Sequence, residues 1–145
     1  MSEIKSFLSA EEESSVVDAI KAAELNTSGE IRVHIEEHSD QEAMARAKAI
    51  FEELHMHETE LRNGVLFYVG VADHSFVILG DRGIDDKVSD DFWESTRDLV
   101  ISAFKEGAFA KGLINGISEA GMQLKSYFPH QSDDENELSD EISKS

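Results

Sequence analysis

The chain has no cysteine among its 145 residues, which rules out a disulfide framework and a thiolate-ligated metal. Proline occurs once, at Pro129, so little interrupts regular structure before that point. No run approaches the ~20 consecutive apolar residues that span a bilayer. The N-terminal MSEIKSFLSAEEE lacks the basic start, apolar middle and small-residue cleavage site of a secretory signal. A soluble, cytoplasmic protein without a membrane anchor is therefore expected. Basic residues are also scarce, with 13 Lys and Arg against 31 Asp and Glu and a net charge of −18. Binding to nucleic acid releases counterions through clustered Lys and Arg, and no such cluster is present. Nucleic acid and anionic membrane are disfavoured as partners, whereas divalent cations and basic surfaces are favoured. The chain has no phosphate-binding GxxxxGK[ST], no GxSxG nucleophile elbow, no HExxH and no EF-hand loop. Ser28 precedes Gly29-Glu30, but nothing in the sequence sets a histidine base beside it.

What is present suits a single folded domain over residues 1–128, since 40% of the chain is hydrophobic. Ser9 and Glu12 have the spacing of a capping box, and Val16, Val17, Ile20 and Ala23 form an apolar face, predicting a first helix that Asn26–Gly29 ends. In Glu30–Glu37 the apolar Ile31, Val33 and Ile35 alternate with Arg32, His34 and Glu36. This pattern predicts a strand covered mainly on one face, with His34 at the surface. Asp40 is placed to cap a second helix reaching about His55, with Ala43, Ala47, Ile50, Phe51 and Leu54 inward. His55 and His57 beyond it read as loop histidines.

The central stretch RNGVLFYVGVADHSFVILGDRGIDDKVSDD reads as a hairpin: apolar Gly64–Val71, a turn at Ala72–Ser75, then Phe76–Gly80. Ser89 is expected to cap a third helix, with Asp90 and Asp91 in its first turn and Phe92, Trp93, Thr96, Leu99, Val100, Ala103 and Phe104 along its buried stripe. A fourth helix, about 108–128, carries Phe109, Leu113, Ile114, Ile117, Ala120, Leu124 and Phe128. Its Gly112 and Gly116 permit close packing, on the sheet. Residues 129–145 are rich in acids, with one Lys against six Asp and Glu after Pro129, and are expected to form a disordered acidic tail.

The order α-β-α-β-β-α-α predicts an α/β fold with a small mixed sheet. A right-handed crossover makes the first two strands parallel, and the hairpin makes the next pair antiparallel. The starts of the first and second strands and the end of the third then share one end of the sheet. Asp73, in the hairpin turn, lies at the other end, about 25 Å away. Glu30, Asp81, Asp85 and Asp86 can therefore converge, and hard carboxylate oxygens favour Ca2+, Mg2+ or Mn2+ over zinc. Asn63, Arg62 and Arg82 stand at the same end as candidate binding residues. The plain alternative is that these charges are solvated strand ends, with Gly83 supplying a tight turn.

TSGEIRVHIE, the N-G-V-L start of the second strand, and FKEGAFAKGLINGISEAGMQLKSYFP resemble the TPM-domain family in order and spacing over about Ala10–Phe128. The resemblance implies a three-layer α/β/α sandwich, a divalent-cation site at one end of the sheet, for Ca2+ in particular with Mg2+ as the alternative, and the acid phosphatase activity proposed for the plant branch. Other branches are accessory or repair-associated proteins. Glu30 matches the acid opening the first strand, and Asn63 the polar residue before G-V-L. Asp81-Arg-Gly-Ile-Asp85 lines up with the family's glycine-rich G-x-G-(L)-E, from which it departs at both ends. Many members carry an export signal and membrane anchor, which this chain is expected to lack. Three functions follow: a cation-binding accessory domain, a metal-dependent phosphatase using Asp85 or Asp86 as base with Arg62 or Arg82 on the phosphate, and an acidic interaction scaffold. The sequence specifies no protein partner.

Overall fold

The structure is a computed structural model that describes residues 7–89, 91–130 and 138–144. Helix α1 (Ala10–Glu24) opens on the reciprocal capping box read from Ser9 and Glu12, with hydrogen bonds of 2.9 and 3.1 Å. It buries Val16, Ile20 and Ala23. Strand β1 (Glu30–Glu36) leads into α2 (Ala43–Glu53). That helix is capped by Glu42, whose carboxylate accepts from the N–H groups of Met44 and Ala45. Asp40, the expected cap, instead accepts from His38 at 2.9 Å, on a loop that reaches its helix three residues later.

A short 3-10 turn, Met56–Glu58, precedes the hairpin of β2 (Gly64–Gly70) and β3 (Ser75–Gly80). The loop expected after β3 is wound into one helical turn, α3 (Arg82–Asp85). Helix α4 begins at Glu94 and runs to Lys105, five residues beyond its expected cap. Ser89 donates its hydroxyl to Asp91 at 2.5 Å, and its carbonyl accepts from Phe92 N–H, so it starts a turn rather than a helix. Asp90 lies outside the described residues. Helix α5 (Phe109–Lys125) completes the helices.

The sheet has the order β3-β2-β1-β4, where β4 is Ser143–Lys144. β1 and β2 are parallel, and β2 and β3 antiparallel, as the connections require. On one face Ile31, Val33, Ile35, Val65, Phe67 and Val69 pack under α1, α4 and α5. On the other, Leu66, Tyr68 and Val77 pack under α2 with Met56. Helices thus cover both faces, giving the α/β/α sandwich. Gly112 and Gly116 do admit close contact, chiefly with α4: a methyl at Gly116 would collide with Val100 and lie 3.2 Å from Phe67 of the sheet.

Two further features differ from the pattern in the sequence. β1 is an inner strand buried on both faces, and His34 on its polar face is 1% exposed rather than at the surface. The second concerns the tail. Residues 131–137 lie outside the described residues, but 138–144 are ordered against the domain. Leu138 is buried, His34 and Ile35 of β1 pair in parallel with Ser143 and Lys144, and Lys144 forms an ion pair with Glu13 of α1. The isolated aliphatics Leu138 and Ile142 each find an apolar cluster already built by the domain, so the segment borrows a core it lacks by itself.

Candidate functional site

The strand ends meet as the topology requires. Glu30 pairs with Gly64, and Asp81 donates its N–H to Gly64 O at 2.9 Å. Glu30, Gly64 and Asp81 therefore form one row across β1, β2 and the end of β3. The parity of the strands puts both carboxylates on the α2 face. They remain two strand spacings apart, roughly 10 Å at the backbone. The gap over Gly64 is filled. A Cβ there would lie 3.1 Å from Met56 O and 3.6 Å from both Met56 Cε and Leu138 Cδ1.

Each carboxylate also has its own partner. Arg62 forks onto Asp81, with Nε and Nη2 at 2.8 and 3.0 Å, and Asp81 Oδ1 caps α3 by accepting from Arg82 N–H at 2.7 Å. Glu30 Oε1 accepts from Leu138 N–H at 2.6 Å. Asn63 is buried, and its amide reaches Ser28 Oγ at 3.4 Å. Arg82, Asp85 and Asp86 are exposed on α3 and its cap. Thus Glu30, Asn63, Arg62 and Asp81 gather at one end of the sheet, but the four expected ligands do not close on a common point. The reason is that α3 turns Asp85 and Asp86 outward and Arg62 neutralises Asp81. Among the described residues, no three His, Asp or Glu side chains stand posed as a metal site.

Gly83 has a different role from the expected one. Its φ is not positive, so no special turn conformation is needed. A Cβ there would run into the carbonyl oxygens of Leu61 and Arg62. The glycine lets α3 dock on the loop that carries Arg62, with its N–H bonded to Arg62 O at 2.9 Å.

Glu30 does have carboxyl neighbours, on the first helix and on the C-terminal segment. Glu24, at the end of α1, accepts from Ile31 N–H at 3.1 Å. Its pKa is pushed up to about 9 by burial, then by a hydrogen bond with Asp140 and the charges of Asp140 and Glu30. Glu24, Glu30 and Asp140 thus sit together at the start of β1. Glu24 had one available signal, its place immediately before the turn into β1. Asp140 had none, because its segment reads as tail.

Further along β1 lies a second buried polar group. Glu36 accepts from Arg46 through Nε at 2.9 Å and Nη2 at 2.9 Å, and from Tyr68 OH at 2.5 Å. Burial works to raise the Glu36 pKa, but the bonds from Arg46, Tyr68 and His34 outweigh it and hold the group below the usual range. His34 Nε2 lies 3.3 Å from Glu36, and its Nδ1 lies 2.9 Å from Ser143 Oγ. Burial lowers the His34 pKa, against the pull of Glu36. Ser143, His34 and Glu36 have the composition of a hydrolase triad without its geometry. The carboxylate is committed to Arg46 and Tyr68, and the ring has no open face for a substrate carbonyl. This network locks β4 and α2 onto β1.

No helix among the described residues is long and apolar enough to cross a membrane. The sequence model of the TPM domain matches residues 3–123. No protein of the curated collection matches. Among solved structures, the NMR structure of the BA42 protein from the psychrophilic bacterium Bizionia argentinensis is similar over 100% of both chains, at 54% identity and a TM-score of 0.93. The NMR structure of the N-terminal domain of a P. gingivalis protein covers 86% of this chain and 82% of its own, at 17% identity and a TM-score of 0.68, and shares the fold.

Proposed function

Because the chain belongs to the TPM domain family, we propose that it is an accessory module without catalysis of its own that takes up a hard divalent cation, Ca2+ or Mg2+, at the carboxyl-rich start of β1. The observation that carries this reading is the meeting of Glu24, Glu30 and Asp140 from three separate segments. Buried carboxyls repel one another unless a proton or a cation neutralises them. Their oxygens have the hard donor chemistry that these ions prefer over softer ligands. As the side chains stand they do not enclose an ion, so uptake has to redirect the Glu24–Asp140 hydrogen bond.

The phosphatase alternative draws less from the geometry. Arg62 opens onto a shallow cleft of about 410 Å3 with Lys48 and His57, which could meet a phosphoryl group. The guanidinium is already forked onto Asp81, however, and that carboxylate would face the phosphoryl oxygens.

Calorimetric and thermal-shift titration of metal-stripped protein tests the cation reading. The expected result is saturable heat and a melting temperature raised by millimolar Ca2+ or Mg2+, both lost in Glu30→Gln and Asp140→Asn. No heat and no shift in the unmodified chain would remove the reading.

A further inference from the structure

At the hairpin end of the sheet, away from Glu30 and Asp81, lies a cavity of about 570 Å3, within the size range of small-molecule sites. Four rings build it. Phe7 stacks on Phe109 with centroids 4.5 Å apart and meets Phe104 edge-on at 5.7 Å, while Phe104 also meets Phe76 and Phe109, each at 5.6 Å. Phe104 and Phe109 belong to the inward stripes of α4 and α5, yet they, Phe76 and Ile101 are only half-buried. They face inward onto the cavity rather than out from the surface. Large apolar side chains left jointly accessible around one concavity mark a binding surface more than a packing defect.

The lining is also selective in charge. The chain carries 31 Asp and Glu, but among the described residues none lines this cavity, whose polar side chains are those of Lys105, His74 and Ser75. Lys105 is exposed at the last turn of α4. His74 is exposed in the hairpin turn, with a left-handed backbone, φ 52. An apolar ligand alone needs no such polar groups, and a cationic ligand would meet Lys105.

We propose that this cavity binds a free amphiphilic carboxylate of the medium-chain fatty acid class. The chain lies among Phe7, Phe76, Phe104 and Phe109. The carboxylate sits at Lys105, with His74 beside it in the lining. The site is independent of the carboxyl cluster at the opposite end of the sheet.

The test is fluorescence titration of the full chain with anilinonaphthalene sulfonate, followed by displacement with decanoate, decanol and decyltrimethylammonium. One saturable site is expected, with decanoate displacing the dye roughly two- to fivefold more effectively than decanol and the cation least effective. Lys105→Glu, on an exposed helix end, should abolish or invert that order. Ile101→Trp should fill the cavity and remove binding while the circular dichroism stays unchanged. Absence of saturable binding, equal displacement by all three compounds, or an unchanged order in Lys105→Glu would overturn the proposal. So would dye displacement by phosphatidylglycerol vesicles without displacement by free decanoate, since that would place the anion in a membrane.

Discussion

Glu24 carries its carboxyl into a setting where the charged form is penalised three times over, by burial, by Asp140 and by Glu30. The sign of the consequence is fixed. Its folded pKa of about 9 lies above the ordinary value of 4.5, so between the two the folded chain holds a proton that the unfolded chain has released. Its contribution to stability is full below the lower value and is lost as pH rises toward the upper one. Glu24→Gln keeps an oxygen for Ile31 N–H and removes the titration. The fall in melting temperature of the unmodified chain between about pH 5 and about pH 8 should flatten in this variant, read by calorimetry. An unchanged slope would show that Glu24 is not the group responsible. At this scale the sequence says least. His34 occupies a polar slot in an alternating strand, and alternation by itself does not reveal that Arg46 and Tyr68 cover that face with partners of their own.

Helices and strands were far more legible. The first helix was visible in Ser9, Glu12 and four apolar residues because a capping box and a helical stripe are settled within one or two turns. The late start of α4 was not. Ser89 has the chemistry of a cap, but its hydroxyl is taken by Asp91 two residues on, a competition between two local bonds that composition does not rank. Two glycines separate close approach from backbone conformation. Gly83 abuts two carbonyls, so Gly83→Ala and Gly83→Asn should each cost about 1–3 kcal/mol. Gly107, after α4, has open space around it but a φ of 78, so Gly107→Ala should cost about 1 kcal/mol while Gly107→Asn recovers most of that. Chemical denaturation of the four variants distinguishes the two cases, and rescue of Gly83 by Asn would contradict the steric account.

Across the whole molecule, the segment 138–144 ties together parts that the sequence treats separately. It fills the space over Gly64 with Leu138, bonds Glu30, extends the sheet at β1 and reaches α1 through Lys144. Removing residues 131–145 should therefore cost about 3 kcal/mol, chiefly from the lost Leu138 burial and the unmet edge of β1. Hydrogen exchange should show faster amides along β1 in the truncated chain, and a melting temperature equal to that of the full chain would refute the claim. Electrostatics alone argues the other way, since the segment is acidic and the chain already carries −18.

The amino-acid order alone determined the four longer helices apart from the start of α4, the hairpin, the parallel crossover and the end of the sheet where acids collect, because periodicity, caps and connection length act between residues near one another in the chain. Which acids meet, and what neutralises them, was decided only by the tertiary structure. Leu138 reaches Glu30 across 108 positions, and Ser143 reaches His34 across 109. Contacts of that span depend on strand register and on an apolar core already in place, and neither is encoded in any short stretch of the chain.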